Sequence, residues 1–145
     1  MKQPIYTSMP GSREIRLIED FEVDIPLGGN ERTQKIHICG EKRTIRIPKG
    51  FKSDGASIPR LFWTSTYGPF NPLIIVPALV HDYGYMWHHF EIKTAVEPGI
   101  RRYSVNRKEV DEIFLGLLRD AGVSHYQRYK MYWAVRMFGG FVWKK

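Results

Sequence analysis

An α+β fold is expected for this chain: a small N-terminal antiparallel sheet followed by a C-terminal cluster of about three helices. Three observations predict it. Apolar residues alternate with charged ones through the first third of the sequence, the period of half-buried strands. From about residue 73 onward they recur instead at helical spacing. The length, 145 residues, suits one domain, residues 1–57 mainly β and 58–145 mainly α.

Ile15 and Leu17, then Phe21, Val23 and Ile25, alternate with charged neighbours and read as strands. Leu27-Gly28-Gly29-Asn30 is a turn. Ile36 and Ile38 alternate with Lys35 and His37, Gly40 to Arg43 reverses the chain, and Ile45 and Ile47 flank Arg46, so residues 34–48 read as a β-hairpin. Pro48-Lys49-Gly50 ends it. Asp54-Gly55, inside Ser53-Asp54-Gly55-Ala56-Ser57, is a turn signal, and Ser57 suits a cap for a short helical turn opening at Pro59.

Tyr67 to Pro72 reads as a loop, and residues 73–89 are apolar almost all round, as a buried helix is. Pro77 either starts that helix or kinks it. Glu97-Pro98-Gly99 breaks the chain. Asn106 is placed to cap a helix over about 107–120, with Val110, Ile113, Phe114, Leu117 and Leu118 as its apolar stripe. Gly122 ends it, and Ser124 opens a last helix to about 138.

Composition narrows the function classes. Hydrophobic residues make up 43% and charged residues 26%, the balance of a globular domain. A single cysteine, Cys39, excludes an internal disulfide and a cysteine-rich metal site, so a reducing cytoplasm is the default compartment. Met1 to Gly11 is polar, which argues against a signal peptide, and no apolar stretch approaches the ~18 residues of a spanning helix.

The net charge is +7, and Ser124 to Lys145 supplies five basic residues (Arg128, Lys130, Arg136, Lys144, Lys145) and no acid. Tyr126, Tyr129, Tyr132, Trp133, Phe138, Phe141 and Trp143 lie among them. Two readings stand. The aromatics pack into the core and leave the cations in water, or the segment meets an anionic membrane surface. Nucleic acid is the lesser partner class, because phosphate-loop, zinc-finger and recognition-helix signatures are absent.

The buried helix carries two polar residues that demand partners, His81 and Asp82. Asp82 lies about 100° round the helix from His81, so the two address different neighbours. An unpaired buried carboxylate costs several kcal/mol. Asp111 sits at the edge of the next helix's apolar stripe. With the helices antiparallel, it can take a hydrogen bond from one nitrogen of His81 and leave the other to deprotonate water, the base-and-orienter logic of hydrolases. Tyr85, one turn from His81, reaches the same aspartate. Asp82 then suits a hard cation such as calcium, with carbonyl oxygens from the loop at Tyr67-Gly68. The competing reading is a His–Asp pair that satisfies itself inside a small core.

His81-Asp82-Tyr83-Gly84-Tyr85, followed by Asn106 to Phe114 with its Asp-x-x-Phe, resembles the small calcium-dependent phospholipases that cleave the middle ester of glycerophospholipids. The resemblance covers roughly residues 63–120. It implies that His81 activates water, Asp82 ligates calcium, and Asp111 and Tyr85 orient His81. A wider stretch is similar to a domain family of unknown function common in tailed-phage and prophage genomes. It comprises Gly50 to Arg60, Ala78-Leu79-Val80-His81-Asp82, Asp111, and Met131 to Arg136. That resemblance implies a viral source, with host cytoplasm or virion as the location and other phage structural proteins as partners.

Asp54 is a further candidate for the His81 site, since the strand end delivers it near the helices. Ser53 and Ser57 read as turn and cap residues, and without a Gly-x-Ser-x-Gly elbow a serine nucleophile is the weaker chemistry. His88 and His89 read as solvated helix-end residues. Two functions remain side by side: a hydrolase using the His–Asp pair, and a non-catalytic tail or baseplate protein that keeps the pair as a folding device.

Overall fold

A computed structural model describes residues 3–8, 14–25, 43–53, 71–94 and 100–143. Strand β1 (Tyr6–Ser8), β2 (Ile15–Leu17), β3 (Phe21–Asp24), β4 (Arg43–Ile47) and β5 (Lys52–Ser53) precede helix α1 (Ile75–Trp87). Strands β6 (His89–Thr94) and β7 (Ile100–Ser104) follow, then α2 (Arg107–Asp120), α3 (His125–Phe138) and a 3₁₀ turn, Gly139–Phe141. One antiparallel sheet has the order β1-β2-β5, the other β3-β4-β6-β7. The α+β class and the three main helices agree with the sequence.

Two expectations change. Helix α1 ends at Trp87, and a hairpin of β6 and β7 follows where the sequence reads as helix end and chain break. His88 turns the chain with a left-handed φ of 58°. Beyond it Phe90 and Ile92 alternate inward with Glu91 and Lys93, a period of two that the apolar run before it disguises. The second change concerns β4. Both its edges are filled, Ile45 lying opposite Val23 on one side and Ile92 on the other. Its partners are therefore β3 and β6, and the proposed arm at 34–42 lies outside the described residues. So do the turn at 27–30, the Ser57 cap and Asp54.

The sheets and helices close on two apolar clusters. Phe21, Val23, Ile45, Ile47, Phe90 and Ile92 join Val76, Leu79, Val80 and Tyr83 of α1. Ile74, Ala78, Phe114, Leu118, Met131 and Val135 fill the space between the three helices. Every residue from Ile75 to Tyr85 is buried, which is why α1 is apolar all round. Pro77 lies in the first turn, where its missing N–H leaves no bond unmade. Asn106 caps α2 through a reciprocal pair with Glu109, and Ser124 caps α3.

Outside the core, Asp20 ties the two sheets' connections together. It accepts hydrogen bonds from the backbone N–H of Lys49 (2.8 Å) and from Arg46 (2.7 Å), which also holds Glu91 at 2.7 Å. The backbone bond and then the guanidinium hold the Asp20 carboxyl below the usual range. A carboxyl depressed in the folded state adds stability above its unfolded pKa and loses it as pH falls through the folded one. Asp20→Asn is therefore expected to lower the melting temperature at pH 7 and to match the native chain in strong acid. An equal deficit at both pH values contradicts this account of Asp20.

Candidate functional site

Helices α1 and α2 pack together, and their two buried polar residues meet. His81 Nε2 lies 2.7 Å from Asp111 Oδ1, with both side chains 0% exposed. Tyr85 Oη donates to the same oxygen at 2.7 Å. The imidazole sits between the rings of Tyr85 (centroids 4.1 Å apart) and Phe114 (4.8 Å). His81 and Tyr85 are one turn apart on α1 and so address one point. Burial, and then the neighbouring Asp111 carboxylate, push the Tyr85 hydroxyl far above its ordinary pKa, so it stays protonated and serves as a donor.

The other oxygen of Asp111 accepts from Arg136 Nη1 of α3 at 2.8 Å, and Arg107 Nη1 stands 3.8 Å away. Arg107 also donates to the carbonyls of Val135 and Arg136 at 3.1 Å each. A cation at the last turn of α3 is favourable both to those carbonyls and to the helix dipole. Asp111 thus joins all three helices through charge-assisted bonds. These arginines are the site residues that the sequence reading missed. Arg107 was discoverable, since it lies four residues before Asp111 on the same helix face. By its sequence Arg136 belongs with the basic C-terminal residues, and nothing in its own spacing points to Asp111.

Asp82 faces elsewhere, as its position on α1 requires. It is buried, and Ser53 Oγ at the end of β5 donates to Asp82 Oδ2. Ser53 is thus more than a turn residue: it carries a hydrogen bond between the sheet and α1. Tyr67, Gly68 and Asp54 lie outside the described residues. Among the described residues no three acidic, histidine or cysteine side chains converge on one point.

Water was expected at one nitrogen of His81, and the ring is instead wholly enclosed. His88 also departs from expectation: it is half-buried and stacks face to face on Trp143, ring centroids 3.8 Å apart. The aromatics of the C-terminal segment divide: Trp143 packs against the core and Tyr132 is half-buried, while others are exposed. Only Met131, Ala134 and Val135 of α3 are buried, while Tyr126, Tyr129, Trp133, Met137, Phe138 and Phe141 are exposed, Phe141 to 90%. Tyr126, Tyr129, Lys130, Trp133 and Met137 follow the i, i+3, i+4, i+7, i+11 spacing of one helix face.

The fold and its centre define a class: an α+β domain whose three helices converge on one buried carboxylate paired with histidine, tyrosine and arginine. The chain belongs to the family described as protein of unknown function (DUF1353), which matches residues 32–135. It is 31% identical over 93 residues to the uncharacterized protein y4jT of Sinorhizobium fredii. That stretch is 64% of this chain and 23% of the relative, so the chain spans about a quarter of that protein's length. No solved structure matches it.

Proposed function

We propose that this is a small phage- or prophage-encoded hydrolase, phospholipase-like, in which His81 is the general base. One observation carries the reading: Asp111 Oδ1 receives both His81 Nε2 and Tyr85 Oη. A carboxylate at Nε2 favours the tautomer with its proton there and makes Nδ1 the basic nitrogen of the ring. The proposed reaction requires a local opening that admits water and ester to the enclosed ring; Nδ1 then removes a proton from water and the oxygen attacks the ester carbonyl. The acyl–oxygen bond breaks, and the leaving alkoxide recovers the proton from the imidazolium. Asp111 stabilises that imidazolium without itself accepting the proton.

The exposed aromatic face of α3 supports an anionic bilayer as the place of work. Aromatic rings suit the headgroup layer, and the basic residues of a segment without acids complement anionic lipid. The test is fatty-acid release from phosphatidylglycerol vesicles, with and without a calcium chelator. Loss of a general base typically costs about 10²–10⁴-fold, so His81→Asn is expected to abolish detectable release, and Trp133→Ser with Phe141→Ser to reduce vesicle binding. Release at the native rate from His81→Asn, or none from the native chain, ends the hydrolase reading.

A second reading is favoured by a specific observation. His81 and Asp111 are sealed from solvent, and the carboxylate is already balanced by Arg136. Both features suit a folding device in a non-catalytic tail or baseplate protein. On that reading, His81→Asn lowers the melting temperature and leaves lipid esters untouched in every sample.

A further inference from the structure

A cleft of about 400 Å³ opens on the side of α1 away from His81, between the turn after β4 and the β6–β7 hairpin. Tyr83 lines it, two residues and so about 200° round the helix from His81. Phe51 meets Tyr83 edge to face, ring centroids 5.1 Å apart, and Phe90 stacks on its other side at 6.1 Å. Trp87, one turn further along α1, stands at the rim and is 54% exposed. The floor is therefore aromatic and fixed by packing, with one half-exposed indole at its rim.

The polar groups of this cleft are not all committed. Tyr83 is 4% exposed, yet its hydroxyl makes no hydrogen bond with a described residue. Burial, and then the nearby Glu91 carboxylate, raise its pKa, so it remains a neutral donor. Arg102 lies opposite Glu91 in the β6–β7 register, but Glu91 is held by Arg46 at 2.7 Å. Arg102 forms no ion pair with a described residue, and neither does the side chain of Lys49 across the cleft. Gly50, with φ at +89°, makes the tight turn that brings Lys49 to the rim. Two cations thus flank an aromatic floor whose one carboxylate is already neutralised.

We infer that this cleft binds a small ligand made of a planar aromatic ring and an anionic group, a nucleoside monophosphate by chemical class. Trp87 stacks on the base, the Tyr83 hydroxyl hydrogen-bonds its polar edge, and Arg102 with Lys49 takes the phosphate. Arginine suits the phosphate through paired N–H donors and lysine through its point charge, and base–aromatic stacking is tolerant of which base is present. The volume fits a single nucleotide and excludes a longer chain from full burial. The inference stands apart from the His81 reading and shares no residue with it.

Calorimetric titration with adenosine 5′-monophosphate, adenosine and inorganic phosphate, at low salt, tests it. The monophosphate is expected to bind, and adenosine and phosphate each at least about tenfold more weakly, since each keeps only half of the contacts. Arg102→Gln and Trp87→Ala are each expected to weaken the monophosphate by about tenfold or more. Arg102→Gln is expected to keep the native melting temperature, because its guanidinium makes no ion pair with a described residue. Tyr83→Phe keeps the packing and reports the hydroxyl alone. No binding of the monophosphate, affinity no better than that of phosphate, or native affinity in Arg102→Gln overturns the inference.

Discussion

Replacing Asp111 with alanine is expected to destabilise the fold by about 3–5 kcal/mol, the usual consequence of removing one partner from a buried ion pair. The loss has three sources. Arg136 loses the carboxylate it pairs with, Tyr85 loses the acceptor of its buried hydroxyl, and His81 Nε2 loses its partner. For a domain of this size each kcal/mol lowers the melting temperature by roughly 2–4 °C, so a fall near ~10 °C follows, with an unchanged denaturant slope. Asp111→Asn retains the shape and one acceptor, and it provides a measurable protein where the alanine variant does not fold. Adding Arg136→Met to Asp111→Asn is expected to recover part of the loss, because the unpaired charge goes with it. A cost below about 1 kcal/mol for Asp111→Ala contradicts the view that this carboxylate joins the helices.

The second large effect is expected at Gly139, a residue with no chemistry of its own. It opens the 3₁₀ turn after α3, with an ordinary φ of −64°. A β-carbon there would overlap Tyr85 Oη and stand 3.1 Å from the ring carbons Cε2 and Cζ. Tyr85 is 2% exposed, so its ring has no room to retreat. The overlap costs about 1–3 kcal/mol by the measure of overpacked cores, against a gain of about 0.4–1 kcal/mol from a stiffer unfolded chain. The net effect of Gly139→Ala is destabilising, and the displaced hydroxyl leaves Asp111. Tyr85→Phe in the same chain removes the struck atom and is expected to restore part of the stability. Urea unfolding of the two single variants and the double variant measures this directly, and a stabilised Gly139→Ala contradicts it.

How much of this was legible in the sequence depends on whether a feature was local. The caps of α2 and α3 were readable because Asn106 and Ser124 act on residues three positions away. The pairing of His81, Tyr85 and Asp111 was readable because helical spacing put the three on faces that had to be buried. Arg136 and Ser53 were not, since each reaches its aspartate from another element and only the packing of α3 and the end of β5 brings it there. The β6–β7 hairpin was hidden for a different reason: its alternating residues directly follow an apolar helix, and the left-handed turn at His88 falls on a residue type that gives little warning of it. The aromatics of α3 show the limit of composition. Burial was a reasonable expectation for so many rings, but a helix with one inward stripe already filled by Met131, Ala134 and Val135 leaves Tyr126, Tyr129, Trp133 and Phe138 exposed.

The hydrolase reading rests on residues gathered around α1, so the decisive observation concerns the proton on His81. Nitrogen NMR of the imidazole, recorded on the native chain and on Asp111→Asn, reports which ring nitrogen carries it. The account predicts a protonated Nε2 bonded to Asp111 and an unprotonated Nδ1, with that preference lost in Asp111→Asn. A proton resting on Nδ1 alone in the native chain would contradict it, because the nitrogen assigned to take a proton would already hold one.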